Sequence, residues 1–184
     1  MAEQISGGNE LLNPEKILKK IGIGFGNKVV DLGCGGAAFF TLQAAKMVGQ
    51  DGIVYAVDVL KPVLASVESK AFLNGVRNIK TVWSDLEVYQ ATKIPDSEVD
   101  FALLINVLFQ SKKKLEMLKE AARMIKPGGK FVIIDWKTSG APLGPPAKMR
   151  IPPDKIREIA KMLSLKEVEF FEAGTYHYAF IFQK

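Results

Sequence analysis

Apolar residues follow two periods along this chain. Short runs at 28–32, 53–57, 79–83, 99–104 and 130–136 are rich in Val, Ile and Leu and end at Gly, Asp, Ser or Asn, the pattern of buried strands. Between them, apolar positions recur three and four apart, as helices require. Ile17, Leu18 and Ile21 follow Asn13-Pro14 and precede Gly22, which predicts a helix capped by Asn13 and begun by Pro14. A second helix is expected over 37–48 and a third from Pro62, with Val63, Val67 and Ala71 buried and Asn74-Gly75 as its stop. Leu115, Leu118, Ala122 and Ile125 predict a fourth, halted by Lys126-Pro127-Gly128-Gly129, and Ile156, Ile159, Ala160 and Leu163 a fifth over 153–163. Strands alternating with helix-length crossovers imply a parallel sheet with right-handed connections and ligand sites at the carboxyl ends of the strands. The last runs, 165–171 and 176–182, flank Glu172-Ala173-Gly174-Thr175 and predict a hairpin whose second strand returns antiparallel, with Tyr176 and Tyr178 on one face and His177 on the other.

The chemistry gathers at one turn. Between the first strand and the second helix lies Asp31-Leu32-Gly33-Cys34-Gly35. There glycines allow a tight bend and a close ligand approach, and the helix start beyond them offers unpaired N–H groups. Asp31 stands inside the strand, and Asp58 ends the next apolar run 25 residues after Gly33, a spacing that suits a nucleoside with a free ribose.

Asp31-Leu32-Gly33-Cys34-Gly35, Val57-Asp58, Ser84-Asp85 and Lys126-Pro127-Gly128-Gly129 together resemble the successive motifs of the class I S-adenosylmethionine-dependent methyltransferases, and most of all the small ubiquinone/menaquinone-biosynthesis type. The resemblance covers residues 13 to 136. It implies an α/β Rossmann-like doubly wound sheet of seven strands, mostly parallel with an antiparallel C-terminal strand. One position departs from it: the family has D-x-G-x-G-x-G, and Ala37 stands at the third glycine. An adjusted loop rather than a lost site is expected.

By this resemblance S-adenosylmethionine is the cofactor. Gly33 and Gly35 would face its amino-acid part, Asp58 with Val59 its ribose, and Asp85 with Leu86 its adenine, while Asp31 either positions the ammonium or braces the loop. A carboxylate suits two ribose hydroxyls because it accepts through two oxygens. Asn106, past the fourth strand, and Asp135 with Trp136, ending the fifth, would flank the methyl group. Trp136 or Phe109 could stabilise the sulfonium by cation–π attraction or be plain core. Methyl transfer is an in-line displacement in which orientation is the main lever, so a base is optional; Asp135 and His177 are the candidates if the acceptor is an unactivated hydroxyl. No metal site is expected.

Composition narrows the rest. With 184 residues and 48% hydrophobic content the chain suits one domain. Residues 1–12 are expected to be mobile. Residues 137–153 hold five of the nine prolines and two glycines, a stiff flap or a surface crossover. The N-terminal stretch lacks the apolar core of a signal peptide, no transmembrane run is present, and one cysteine allows no internal disulfide, so a cytoplasmic setting is expected. The lone cysteine also argues against thiol-dependent arsenite methylation. A net charge of +5 spread along the chain does not indicate nucleic acid, and Lys112-Lys113-Lys114 reads as a solvated run. The reading is a methyltransferase acting on a small molecule. A nicotinamide oxidoreductase is the first alternative, supported by Tyr89-x-x-x-Lys93 but opposed by Ala38 where G-x-G-x-x-G needs glycine; a non-catalytic scaffold is the second.

Overall fold

Asn13 Oδ1 accepts a hydrogen bond from Lys16 N at 2.9 Å, and Gly22 closes the same helix in the left-handed region. Between these caps α1 runs over Pro14–Ile21 with Ile17, Leu18 and Ile21 buried. The computed structural model describes residues 11–139 and 142–184. Of the stretch expected to be mobile, Leu12 is packed against α1, and residues 1–10 lie outside the described residues.

The strands are β1 (Lys28–Leu32), β2 (Ile53–Asp58), β3 (Ile79–Trp83), β4 (Val99–Ile105), β5 (Ile125–Trp136), β6 (Lys166–Gly174) and β7 (His177–Gln183). They form one sheet in the order β3-β2-β1-β4-β5-β7-β6, and β7 alone runs against its neighbours. The α/β class and the seven-stranded, mostly parallel sheet are therefore as expected from the sequence. Its order reverses at β1 and β4, the kind of switch point where open α/β sheets bind ligands.

The helices are α2 (Phe39–Val48), α3 (Lys61–Leu73), α4 (Lys114–Met124) and α5 (Pro153–Met162). One core layer packs Leu18, Val29, Phe40, Leu103 and Ile134 on the face covered by α1 and α2. The other packs Val30, Leu104, Leu118, Phe131, Ile156 and Phe180 under α4 and α5. No helix among the described residues is long and apolar enough to cross a membrane.

Besides shifts of one residue at several element ends and a hairpin turn that falls at Thr175-Tyr176 because β6 extends to Gly174, three differences from the sequence reading bear on the core or the site. The helix α2 begins at Phe39 rather than 37, because Ala38 takes a left-handed conformation (φ 55°) that ends the glycine turn. In α3 the buried stripe is Leu64, Val67 and Ala71, at spacings of three and four, with Val63 only partly buried at its edge. Ile125 is not the last turn of α4: it pairs with Val99 in β5, and a register shift follows before Lys130 pairs with Phe101. The Lys126–Gly129 motif thus forms the irregular entry to a strand rather than a separate stop.

A buried ion pair, absent from the sequence reading, fixes the long loop after β3. Glu120, fully buried on α4, accepts hydrogen bonds from Gln90 N (2.8 Å) and Thr92 N (3.1 Å). Arg123 pairs with Glu120 at 2.8 Å and donates to Thr92 O, Ile94 O and Asp96. The carboxylate is held below its ordinary range by Arg123 and the loop N–H groups, against the opposing effect of burial. In sequence, Glu120 and Arg123 look like an exposed i,i+3 pair; their partners lie about thirty residues away and carry no side-chain signature.

Candidate functional site

The predicted site residues come together at the carboxyl edge of the parallel strands. The side chain of Asp31 in β1 faces α2, where Thr41 Oγ1 donates to its Oδ2 at 2.5 Å. Burial pushes its pKa up to about 6 against that hydrogen bond, and the nearby Asp58 charge adds to the rise. This contact joins strand to helix across the glycine turn, through a Thr41 that sequence reasoning missed.

Gly33 has φ 74°, and a Cβ there would lie 2.5 Å from Val107 Cγ2. Gly35 has φ 64°, and a Cβ there would meet nothing within 4 Å. The two glycines therefore answer different demands. Gly33 lets the turn pass the end of β4, whereas Gly35 borders open space. Ala37 is not among the residues with positive φ, so the missing third glycine strains nothing; the left-handed non-glycine is its neighbour Ala38. Cys34 points away from the turn into a cluster with Ala56, Leu64 and Val67, and burial pushes its thiol far above the ordinary range.

Asp58 ends β2 beside the turn. Its Oδ2 accepts from Gly35 N at 3.3 Å and its Oδ1 from Leu60 N at 3.0 Å, and the side chain keeps partial exposure. Val59 is 53% exposed, and its carbonyl accepts from Trp83 Nε1 at 2.9 Å. On the next strand end, Ser84 N donates to Asp58 O at 3.1 Å. Asp85 is exposed and accepts from Glu87 N at 2.8 Å, and Leu86 is buried behind it. Asp58, Val59, Asp85 and Leu86 thus form one acidic rim with an apolar backing. Tyr89 and Lys93 lie on the irregular segment beyond it, with Lys119 over the tyrosine ring at 4.3 Å, so no helix presents them as a pair.

Asn106, buried and left-handed (φ 56°), leaves β4 with its N–H on Ile134 O at 2.8 Å. Asp135 is fully buried and accepts from Phe109 N (3.2 Å) and Trp136 N (2.8 Å). Burial pushes it up to about 7, partly opposed by those two donors and by Lys114. It ties the end of β5 to the turn after β4. Phe109 is buried in the same core layer.

Trp136 and His177 pair across β5 and β7 with ring centroids 4.2 Å apart. The turn of the hairpin therefore lies at the edge that carries the glycines, and Tyr178, opposite Asp135, donates to Ile151 O at 2.8 Å. Over Trp136 lie Gly144 and Arg150 of the 137–153 segment, of which residues 140 and 141 lie outside the described residues. Arg150 holds the segment by donating to Leu143 O, Pro145 O and Lys137 O, with its guanidinium 5.8 Å from the indole. Gly144 lies so near the indole that a Cβ would meet it at 2.6 Å, while Lys137 pairs with Glu172.

His177 carries a pH signature. Burial and the Lys137 charge depress it from 6.5 to about 4. The unfolded chain binds this proton more readily, so the contribution to stability is complete above pH 6.5 and is lost as pH falls toward 4. The full swing is about 3 kcal/mol, from the 1.36 kcal/mol per pH unit of linkage. Asp31 and Asp135, both raised, act in the opposite sense, losing stability as pH climbs from about 4 toward their folded values. A single substitution separates the two. His177→Phe should remove the loss of stability on acidification, so its melting temperature relative to the parent's should rise from pH 7 to pH 4.5. An unchanged difference over that range would mean that the imidazole is not buried neutral.

Comparison with known proteins gives a consistent picture. A family model described as a methyltransferase domain matches residues 30–133. The ubiquinone/menaquinone biosynthesis C-methyltransferase UbiE of Azotobacter vinelandii is 30% identical over 146 residues, which are 78% of this chain and 56% of that protein. A demethylmenaquinone methyltransferase of a Geobacillus species is 30% identical over 121 residues, 66% of this chain and 50% of that protein. The chain thus spans about half the length of the curated relatives it matches. Among solved structures, a SAM-dependent methyltransferase from Aquifex aeolicus superposes with a TM-score of 0.85 at 28% identity, covering 96% of this chain and 92% of that one.

Proposed function

Because this chain belongs to the S-adenosylmethionine-dependent methyltransferases, we propose that it methylates a small-molecule acceptor held between the glycine turn and the 137–153 flap, as one domain and in the cytoplasm. The observation that carries this reading is the open space beside Gly35, bordered by Asp58 and reached from the exposed rim of Val59 and Asp85. A group with a polar amino-acid end, a ribose and an adenine fits that sequence of surfaces. Gly33 and Gly35 would lie against the amino-acid end, with Asp31 behind them. Asp58 and Val59 would take the ribose, Asp85 and Leu86 the adenine, and Asn106 would border the sulfur end. When bound, S-adenosylmethionine supplies an electrophilic methyl on a sulfonium whose loss leaves a neutral thioether.

The chain's own task is then orientation, worth several kcal/mol when reactants are held near contact. Asp135 fixes the β4 and β5 exits relative to one another, and Trp136, His177 and the flap form the acceptor's side. Since the matched relatives are named for ubiquinone and menaquinone biosynthesis, a quinone precursor is the first acceptor to assay. Calorimetric titration with S-adenosylmethionine, S-adenosylhomocysteine and NAD should give micromolar binding of the first two and none of the third. Tight NAD binding without the others would overturn the reading in favour of an oxidoreductase.

A further inference from the structure

Trp136 Nε1 and both ring nitrogens of His177 are buried without a hydrogen-bond partner among the described residues. They belong to two side chains in ring contact, each at least 99% buried. A buried polar group without a partner has lost its hydration and gained nothing in return, so three in one place form a substantial local deficit. Native interiors seldom keep such groups except where something else satisfies them. Their position suits a ligand. Both residues sit at the carboxyl edge, where β5 is two strands from β1, about 10 Å at the usual strand spacing. The flap covers one side through Gly144 and Arg150, and Leu11 and Leu12 close over Gly174 beside the imidazole.

We infer that Trp136 and His177 form a hydrogen-bonding station that selects the acceptor by an uncharged hydroxyl, with His177 acting as a neutral positioning residue rather than as a base. The inference rests on the methyltransferase reading. An indole N–H can only donate, whereas a neutral imidazole donates from one nitrogen and accepts at the other. A single hydroxyl satisfies two of these groups together, accepting from Trp136 Nε1–H and donating to the bare imidazole nitrogen. The remaining imidazole N–H is left for a second oxygen on the same flat molecule. A carboxylate or phosphate would leave the accepting nitrogen unpaired, and an ammonium would leave both N–H groups so. Protonating the imidazole would place a second cation beside Lys137, the charged group whose field reaches His177, with its counter-ion Glu172 directed to the lysine. The neutral ring therefore holds the acceptor without taking its proton.

His177 is the only histidine, so its ring signals in nitrogen-15 NMR are unambiguous. Protein saturated with S-adenosylhomocysteine would be titrated with phenol, uncharged at pH 7, with fluorobenzene, of similar shape but lacking the hydroxyl, and with benzoate. Phenol is expected to bind at least five-fold more tightly than the other two and to shift both the Trp136 indole N–H and the His177 ring nitrogens, with the imidazole staying neutral. His177→Phe and, separately, Trp136→Phe should reduce the preference for phenol over fluorobenzene to less than two-fold. Equal binding of phenol and fluorobenzene, absence of phenol binding, or ring nitrogens already hydrogen-bonded in the free protein would overturn the station. Protonation of the imidazole on phenol binding would overturn the positioning role. Failure of S-adenosylhomocysteine to bind would instead remove the methyltransferase reading beneath it.

Discussion

Replacing Asp58 with alanine is expected to weaken S-adenosylmethionine binding ten-fold or more. In the proposed complex its carboxylate accepts from both ribose hydroxyls, and hydrogen bonds to a charged group contribute about 1.5–3 kcal/mol each. Every 1.4 kcal/mol is a factor of ten in affinity, so even the lower value for one bond gives that loss. The structure adds a second route to the same outcome. Asp58 already accepts from Gly35 N and Leu60 N, so its removal also frees the glycine turn and the residue that leads into α3. Asp58→Asn separates the contributions: it keeps an oxygen for one backbone N–H while losing the charge and the second acceptor. Calorimetry should place it between parent and alanine variant. Unaltered affinity in Asp58→Ala would show that the ribose lies elsewhere.

Arg123→Ala should be the most destabilising of the substitutions considered. Removing one partner of a buried pair leaves an uncompensated charge, at about 3–5 kcal/mol. Here the charge is Glu120, with no exposure, and the loss extends to Thr92 O, Ile94 O and Asp96. For a chain of this size such a loss corresponds to a melting temperature lower by roughly 6–20 °C. Because the pair anchors the loop that follows Asp85 and Leu86, cofactor affinity should fall with it. The double variant Glu120→Leu/Arg123→Met removes both charges and should recover the part of the loss that comes from the unpaired carboxylate, while the backbone groups of Gln90, Thr92 and Ile94 stay without their partners. If Arg123→Ala melts within 2 °C of the parent, the pair is solvated in solution.

The strands were the most legible part of the sequence, because a strand buried on both faces must be apolar along its length. β1 and β3 occupy the expected residues. The caps of α1 were equally plain, since Asn13, Pro14 and Gly22 each have a local conformational reason to stand where they do. Boundaries failed where a distant neighbour outvoted local preference. Lys126-Pro127-Gly128-Gly129 reads as a helix stop, yet pairing of Ile125 with Val99 draws that segment into the sheet. Ala38 has no intrinsic reason to be left-handed; the turn over the end of β1 imposes it.

For the site, the sequence alone determined which residue types stand at the ends of which strands: the two glycines, Asp31, Asp58, Asp85, Asn106, Asp135 and Trp136. Period-two and period-3.6 patterns place strand ends, and in a parallel sheet those ends share one edge. What each residue does there was decided only by tertiary structure. Sequence could not separate Gly33, excluded from any side chain by Val107, from Gly35, which borders open space. Nor could it show that Asp31 is met by Thr41 and Asp135 by Phe109 N, or that Glu120 and Arg123 are interior. Above all, the meeting of Trp136 with His177 depends on β7 returning antiparallel beside β5. The physical reason is the same throughout: periodicity is a property of neighbours in the chain, whereas burial, partners and protonation depend on what the folded sheet brings alongside.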